Sequence, residues 1–274
     1  MYIRLNQFAI ERLVNEWKNQ RFPWAVFDTP LYHSDAFGHS IQYFFLGSVI
    51  HYCFYGVFDD GTTGYYTNQN AEGSIAYWRT LKTYWPILSD HRLKFETFEQ
   101  VFKGLSFLPQ RYSDWMETIR ILKQQYSGEV KLFLESCQWD VSIILERINF
   151  EFPAYKTSSH EYSDRSYLFL YLAQGKFASA NLFNKIELIQ PYLDQVLLAS
   201  LIQTNVLEIP LGKVILSSTD IQILRTSARQ ALEEILTKWD QVSNNKILPA
   251  DLNTPLRNQG LVSIWCNRTP ILFS

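Results

Sequence analysis

The spacing of apolar side chains alternates between helical stripes and short irregular stretches. In the first twenty residues Leu5, Ala9, Leu13 and Trp17 recur every fourth position, while Glu11, Asn15 and Lys18 fall elsewhere. That rhythm predicts an amphipathic helix that covers a core with one face. Residues 21–39 place Pro23, Pro30 and Gly38 among aromatics, which predicts an ordered but irregular segment. The run IQYFFLGSVIHYCFYGVF approaches the length of a membrane span, yet Gln42, Gly47, Ser48, His51 and Gly56 interrupt it. A buried helix is the expectation, and no membrane partner. From Gly56 to Gly73, glycine, threonine and asparagine predict a loop or hairpin excursion that holds any short strands.

Helical signals dominate downstream. In RYSDWMETIRILKQQYSG, Trp115, Ile119, Leu122 and Tyr126 share a face, Ser113 or Asp114 offers a cap, and Gly128 lies just beyond the end. DVSIILERINFEF predicts the next helix, closed by Pro153, and YSDRSYLFLYLAQG another between a cap at Ser163 and a stop at Gly175. In ELIQPYLDQVLLASLIQ, proline fits best at the first helical position, which predicts a helix from Pro191 with Gln190 at its mouth. The long segment SSTDIQILRTSARQALEEILTKW keeps Ile221, Leu224, Ala228, Leu232, Ile235 and Trp239 on one side, with Ser217 and Asp220 spaced as a capping box. No 20–50-residue repeat and no Pro/Gly/Ser-rich linker is visible. The expectation is one mainly α-helical domain over residues 1–274, with two halves meeting near residues 104–110 as the alternative.

Composition adds bounds. A hydrophobic fraction of 47% and an aromatic fraction of 16% in 274 residues call for a large aromatic core and argue against disorder. Lys plus Arg number 25 against 27 Asp plus Glu, so duplex nucleic acid meets no broad positive field, while a local basic pocket for one phosphate stays open. Cys53, Cys137 and Cys266 form neither a disulfide framework nor a C-x-x-C metal pair, which fits a reducing, cytoplasmic setting. The N-terminus shows no apolar leader core and no small-residue cleavage site.

Chemistry-bearing motifs are sparse. There is no G-x-G-x-x-G, Walker A loop, H-E-x-x-H or G-x-S-x-G. None of His33, His39, His51, His91 and His160 has a metal-ligand partner at helical spacing, so no metal is expected. His51, within HYCFYG, reads either as a satisfied core histidine or as a hydrogen-bonding group in an aromatic-walled pocket.

FLGSVIHYCFY, TGYY, FPAYKT, LNTPLRN and NRTPILFS, in order over roughly residues 40–274, resemble segments of the queuosine salvage protein family, whose members hydrolyse the N-glycosidic bond of queuosine 5′-phosphate. FLGSVIHYCFY is similar to a stretch ending N-F-x-F-W, with His51, Tyr52, Phe54 and Tyr55 at its named positions. TGYY resembles a Gly-Tyr-Trp segment, and LPQRYSDWMETIRILKQQYSGEVKLFLES a long helix of the form L-x-E-R followed by a glycine-terminated turn. FPAYKT resembles F-P-S-Y-R-D, Tyr162 and Arg165 fall where a Tyr and an Arg precede an apolar helix, and Arg225 falls at the arginine of E-I-R. LNTPLRN resembles L-D-x-x-L-W, and NRTPILFS a terminal H-R-x-R-x-I-x-Y.

The resemblance implies a helical, DNA-glycosylase-like domain that needs no cofactor and binds a small modified nucleotide or nucleoside. The implied reaction releases a queuine-like deazaguanine base from the ribose, with a carboxylate near the anomeric carbon and donors that help the base depart. The acid of the F-A-D-Y-R segment falls on Gln190, and the Asp of L-D-x-x-L-W on Asn253. Both amides keep hydrogen bonding and drop the negative charge. Asn267 stands where the terminal motif has histidine. Asp194 and Asp251 are the nearby acids that remain. The resemblance thus implies catalytic positions at Asp194 and Gln190, and substrate-binding positions at His51, Arg165, Tyr192, Asn253 and Arg268. If no carboxylate serves, a nucleoside-binding pseudoenzyme follows. The end CNRTPILFS is expected to pack inside the fold, with Ile271 and Phe273 as anchors.

Overall fold

Of the stripe of Leu5, Ala9, Leu13 and Trp17, the last three fall on α1 (Gln7–Trp17) and Leu5 precedes it in a strand; Asn6 opens the helix by accepting the Ala9 N–H through its side chain at 3.1 Å. The computed structural model describes residues 2–20, 37–57, 63–68, 70–156, 164–177, 181–209, 215–216, 218–257 and 272–273. The fold is mainly α, as the periodicity predicts. The expectations for residues 21–36 and for caps at Ser163 and Ser217 lie outside the described residues.

The chain divides into two compact units, one from Met1–Ala25 with Ile186–Ser274, the other from Val26–Lys185. The alternative boundary near residues 104–110 falls inside the second unit and does not separate halves.

In the first unit, α1 packs against α10 (Ser218–Val242), with α9 (Gln195–Gln203) beside it. Their apolar faces form one core: Ala9, Leu13 and Trp17 meet Leu197, Leu201, Leu224, Ala228, Leu232, Ile235 and Trp239. The Trp239 indole N–H donates to the Asn245 carbonyl at 2.7 Å, so its polar atom is satisfied where its ring is buried. Strand β1 (Arg4–Leu5) runs antiparallel to β6 (Leu207–Glu208), and β7 (Ile215–Leu216) parallel to β8 (Leu272–Phe273). The chain's end is therefore tied by strand pairing. Ile271 lies outside the described residues.

In the second unit, α2 (Phe37–Val49) is the central rod, buried from Tyr43 to Val49 without a break. It touches α3 (Gly73–Leu88), α5 (Leu108–Gln125), α6 (Val130–Ser136) and α8 (Asp164–Lys176). At 13 residues it falls short of the ~20 a membrane span needs. No helix among the described residues is long and apolar enough to cross a membrane. Between α2 and α3 come two antiparallel pairs, β2 (Tyr55–Val57) with β3 (Thr63–Tyr65), then β4 (Thr67–Asn68) with β5 (Ala71–Glu72), which is the expected hairpin excursion. Helix α4 (Phe95–Val101) packs on α5, while α7 (Val141–Glu151) is capped by Asp140 and closed ahead of Pro153.

Four helices depart from the sequence expectation in their limits. Helix α2 takes in residues 37–39 of the segment expected to be irregular and ends at Val49, so residues 51–57 of the apolar run lie outside it. Helix α5 starts at Leu108, so Ser113 and Asp114 are interior and cap nothing; Pro109 sits in the first turn, where its missing N–H has no helical partner to lose. Its other end behaves as expected, with Gly128 at φ +87° donating back to the Leu122 carbonyl at 2.9 Å. Helix α8 runs one residue past Gly175. Helix α9 does not start at Pro191: residues 190–194 lie outside it, and Asp194 is its N-cap, accepting the Leu197 N–H at 3.0 Å. An aspartate cap outcompetes the proline start because its side chain satisfies an amide that the first turn leaves open.

Candidate functional site

Three predicted positions, Gln190, Tyr192 and Asp194, lie on the stretch that precedes α9. Its carbonyls are held by arginines: Arg229 Nη1 donates to Pro191 O at 2.5 Å, Arg257 Nη2 to Tyr192 O at 3.1 Å, and Arg225 Nη2 to Leu193 O at 3.3 Å. Arg225 and Arg229 are four apart on α10 and share its face. Arg257 also pairs with Asp194, Nη1 to Oδ2 at 2.8 Å, and its guanidinium lies 3.6 Å from the centroid of the Tyr192 ring. Tyr192, Asp194 and Arg257 thus form one stacked, charge-assisted group. Both Asp194 oxygens are engaged, one by Leu197 N–H and one by Arg257. Gln190 is half-buried.

Asn253 belongs to the same unit, just after the 3-10 turn Pro249–Leu252, which packs on the turn Ile186–Leu188. Its side chain is fully buried; Nδ2 donates to Ala250 O at 3.0 Å, and Oδ1 has no hydrogen-bond partner. A buried acceptor left open is unusual and suits a donor brought by a ligand. In the preceding turn, Asp251 Oδ2 accepts the Leu248 N–H at 2.7 Å. Burial raises the Asp251 carboxyl to about 6, against the pull of that N–H.

His51 and Arg165 lie in the second unit, around the C-terminal end of α2. The last carbonyls of a helix have no partner within it, and here side chains supply them. Tyr155 donates to Phe45 O at 2.6 Å, Tyr77 to Gly47 O at 2.7 Å and Arg165 Nη1 to Val49 O at 2.6 Å. The fully buried Arg111 serves carbonyls just beyond the helix, donating to those of Ile50, Tyr52 and Cys53 and from Nε to Ser106 O. Two guanidinium charges at a helix C-terminus also match its dipole. Burial lowers the pKa of both arginines.

The Tyr52 ring lies 4.1 Å from Arg111 and 5.1 Å from Arg165, centroid to guanidinium carbon. Its hydroxyl donates to Asp114 Oδ2 at 3.2 Å, while Gln110 donates to Oδ1 at 2.7 Å. Burial pushes the Tyr52 hydroxyl up to about 12. Arg165 Nη1 stands 3.9 Å from Asp114 Oδ2. His51 is buried among Phe54, Tyr77 and Trp78, with ring centroids 4.7, 5.7 and 5.7 Å away, and its Nε2 is 2.7 Å from Ser74 Oγ.

The structure therefore brings Tyr192 and Asp194 into direct company through Arg257, with Asn253 four positions before that arginine in the same unit. His51 and Arg165 flank the end of α2 instead. Arg268, with Asn267 and Tyr162, lies outside the described residues. Sequence reading overlooked Arg257, Arg229, Arg111 and the buried carboxylate of Asp114. The four-residue spacing of Arg225 and Arg229 is a usable signal. Among the described residues no three His, Cys, Asp or Glu side chains converge as metal ligands. No protein-family model matches the chain, and comparison with curated proteins finds no match.

Proposed function

We propose that the protein is a divergent N-glycosyl hydrolase that frees a queuine-like deazaguanine base from a queuosine 5′-phosphate-like nucleotide or nucleoside. The observation that carries the reading is Asp251: a carboxyl raised to about 6 by burial, two residues from a buried amide whose acceptor is open. Glycosidic hydrolysis breaks the bond from the anomeric carbon to the base nitrogen, the electron pair leaves with the base, and water adds to the carbon. A carboxyl near neutrality serves either side of this exchange, taking a proton from water or giving one to the base. Asn253 then holds base or ribose through Oδ1. Asp194 is a positioning residue, since Arg257 already balances its charge. Gln190 contributes hydrogen bonds only.

Incubation of the full chain with queuosine 5′-phosphate, followed by chromatography for free queuine, tests the proposal. Release is expected, with a loss of about 100-fold or more in Asp251→Asn. No release at high protein concentration overturns the activity. A second reading, a nucleoside binder without turnover, is favoured by the Asp194–Arg257 pair together with the amides at Gln190 and Asn253. It expects calorimetric affinity for the same nucleotide with no queuine released; absence of binding removes both readings.

A further inference from the structure

We propose that Ser74 and His51 form a nucleophile–base pair that accepts an acyl group from a carboxylic ester, an activity separate from the glycosidic reading and independent of it. The pair is recognised by geometry, because no G-x-S-x-G accompanies it. His51 Nε2 and Ser74 Oγ are 2.7 Å apart, within the range for a base that takes a hydroxyl proton. The imidazole is only 8% exposed and is fixed by Phe54, Tyr77 and Trp78, whereas Ser74 is partly exposed. The hydroxyl thus sits between a buried base and solvent.

The local fold places the serine as such chemistry requires. Strand β5 ends at Glu72, Gly73 turns the chain at φ +57°, and Ser74 follows at once in the first turn of α3. A side chain at position 73 would be strained at that φ, so glycine permits the sharp strand-to-helix passage. Glu72, the N-cap residue, gives the first turn no side-chain hydrogen bond. The Gly73 amide is taken by the Tyr66 carbonyl at 2.7 Å, so the charge on the oxyanion of an attacked carbonyl is met by the positive end of the 16-residue helix.

In the reaction Ser74 Oγ passes its proton to His51 Nε2 and bonds to the acyl carbon, whose carbonyl electrons move onto oxygen. Collapse of that adduct expels the alcohol, which receives the proton from His51. Water repeats the sequence to release the carboxylic acid and restore the serine.

Treatment of the folded chain with a fluorophosphonate, read by intact mass and peptide mapping, tests the pair. One adduct on Ser74 is expected, absent in Ser74→Ala and formed about 100-fold more slowly in His51→Gln. No Ser74 adduct on the folded chain overturns the proposal, as does an adduct that forms at the same rate in His51→Gln. Should His51→Gln fail to fold, the labelling rate of the natural chain against pH decides. A plateau after a single ionisation supports the pair, and a rate that tracks hydroxide throughout overturns it. Queuine release and Ser74 labelling are separate readouts, so either reading fails without the other.

Discussion

Arg257 lies over the Tyr192 ring, its guanidinium carbon 3.6 Å from the centroid, while the same fork holds the Tyr192 carbonyl and the Asp194 carboxylate. One planar group thus fixes a ring, a backbone carbonyl and the cap of α9. Lysine keeps the charge but loses the plane and the fork. Arg257→Lys should destabilise the fold by about 1–2 kcal/mol and Arg257→Ala by about 2–3 kcal/mol. Urea unfolding of both variants measures this, and equal stability of Arg257→Lys and the natural chain would refute the stacked-fork account.

Arg111 presents the same logic in a fully buried setting. Its donors serve the carbonyls of Ile50, Tyr52, Cys53 and Ser106, so removal strands several acceptors at once. Arg111→Met fills comparable volume without a donor and should cost about 3 kcal/mol or more. Amide hydrogen exchange at the C-terminal turn of α2 should quicken in the same variant.

These contacts explain which parts of the fold could be read in advance. The faces of α1, α2 and α10 were legible because burial alone sets their spacing. Gly128 was legible because a helix stop needs a positive φ that glycine supplies. The starts of α5 and α9 were not, since distant partners decide them: Asp114 meets Tyr52 across 62 positions, and Asp194 meets Arg257 across 63. Local propensity gave Asp114 to a cap and Pro191 to a helix start. The Tyr192–Asp194 neighbourhood carries no local signal, because the arginine that organises it lies 63 positions beyond Asp194.

At Gly47, α2 runs tight against the side chains of α3. A β-carbon there would stand 2.6 Å from Trp78 Cη2 and 2.8 Å from Leu81 Cδ2. Trp78 is wedged among His51, Tyr43 and Tyr77 and has little room to yield. Alanine improves helix propensity by about 1 kcal/mol, but overpacking of this kind costs about 1–3 kcal/mol. Gly47→Ala should therefore lower the melting temperature, and a rise would show that α2 and α3 can part.

Asp251 gives the fold a pH dependence of unusual sign. Most carboxyl groups with shifted values lie low, as Asp90 and Asp140 do near 2 through Arg92 and Lys185, and they lose stability only as pH falls through their own range. Asp251 is raised from 3.8 to about 6, so between those values the folded state binds more protons than the unfolded chain. Stability then declines as pH climbs through that window and levels off above it. The full shift corresponds to about 3 kcal/mol, which partial exposure of the group screens to about 1–2 kcal/mol. Asp251→Asn keeps an oxygen for the Leu248 N–H and has no charge to bury. Its stability should match the natural chain near pH 4 and exceed it by about 1–2 kcal/mol at pH 7. Denaturation of the two proteins at half-unit steps from pH 4 to 7 measures the difference. A gap that stays constant across the series would mean that the carboxyl ionises in the folded state as it does in the unfolded chain.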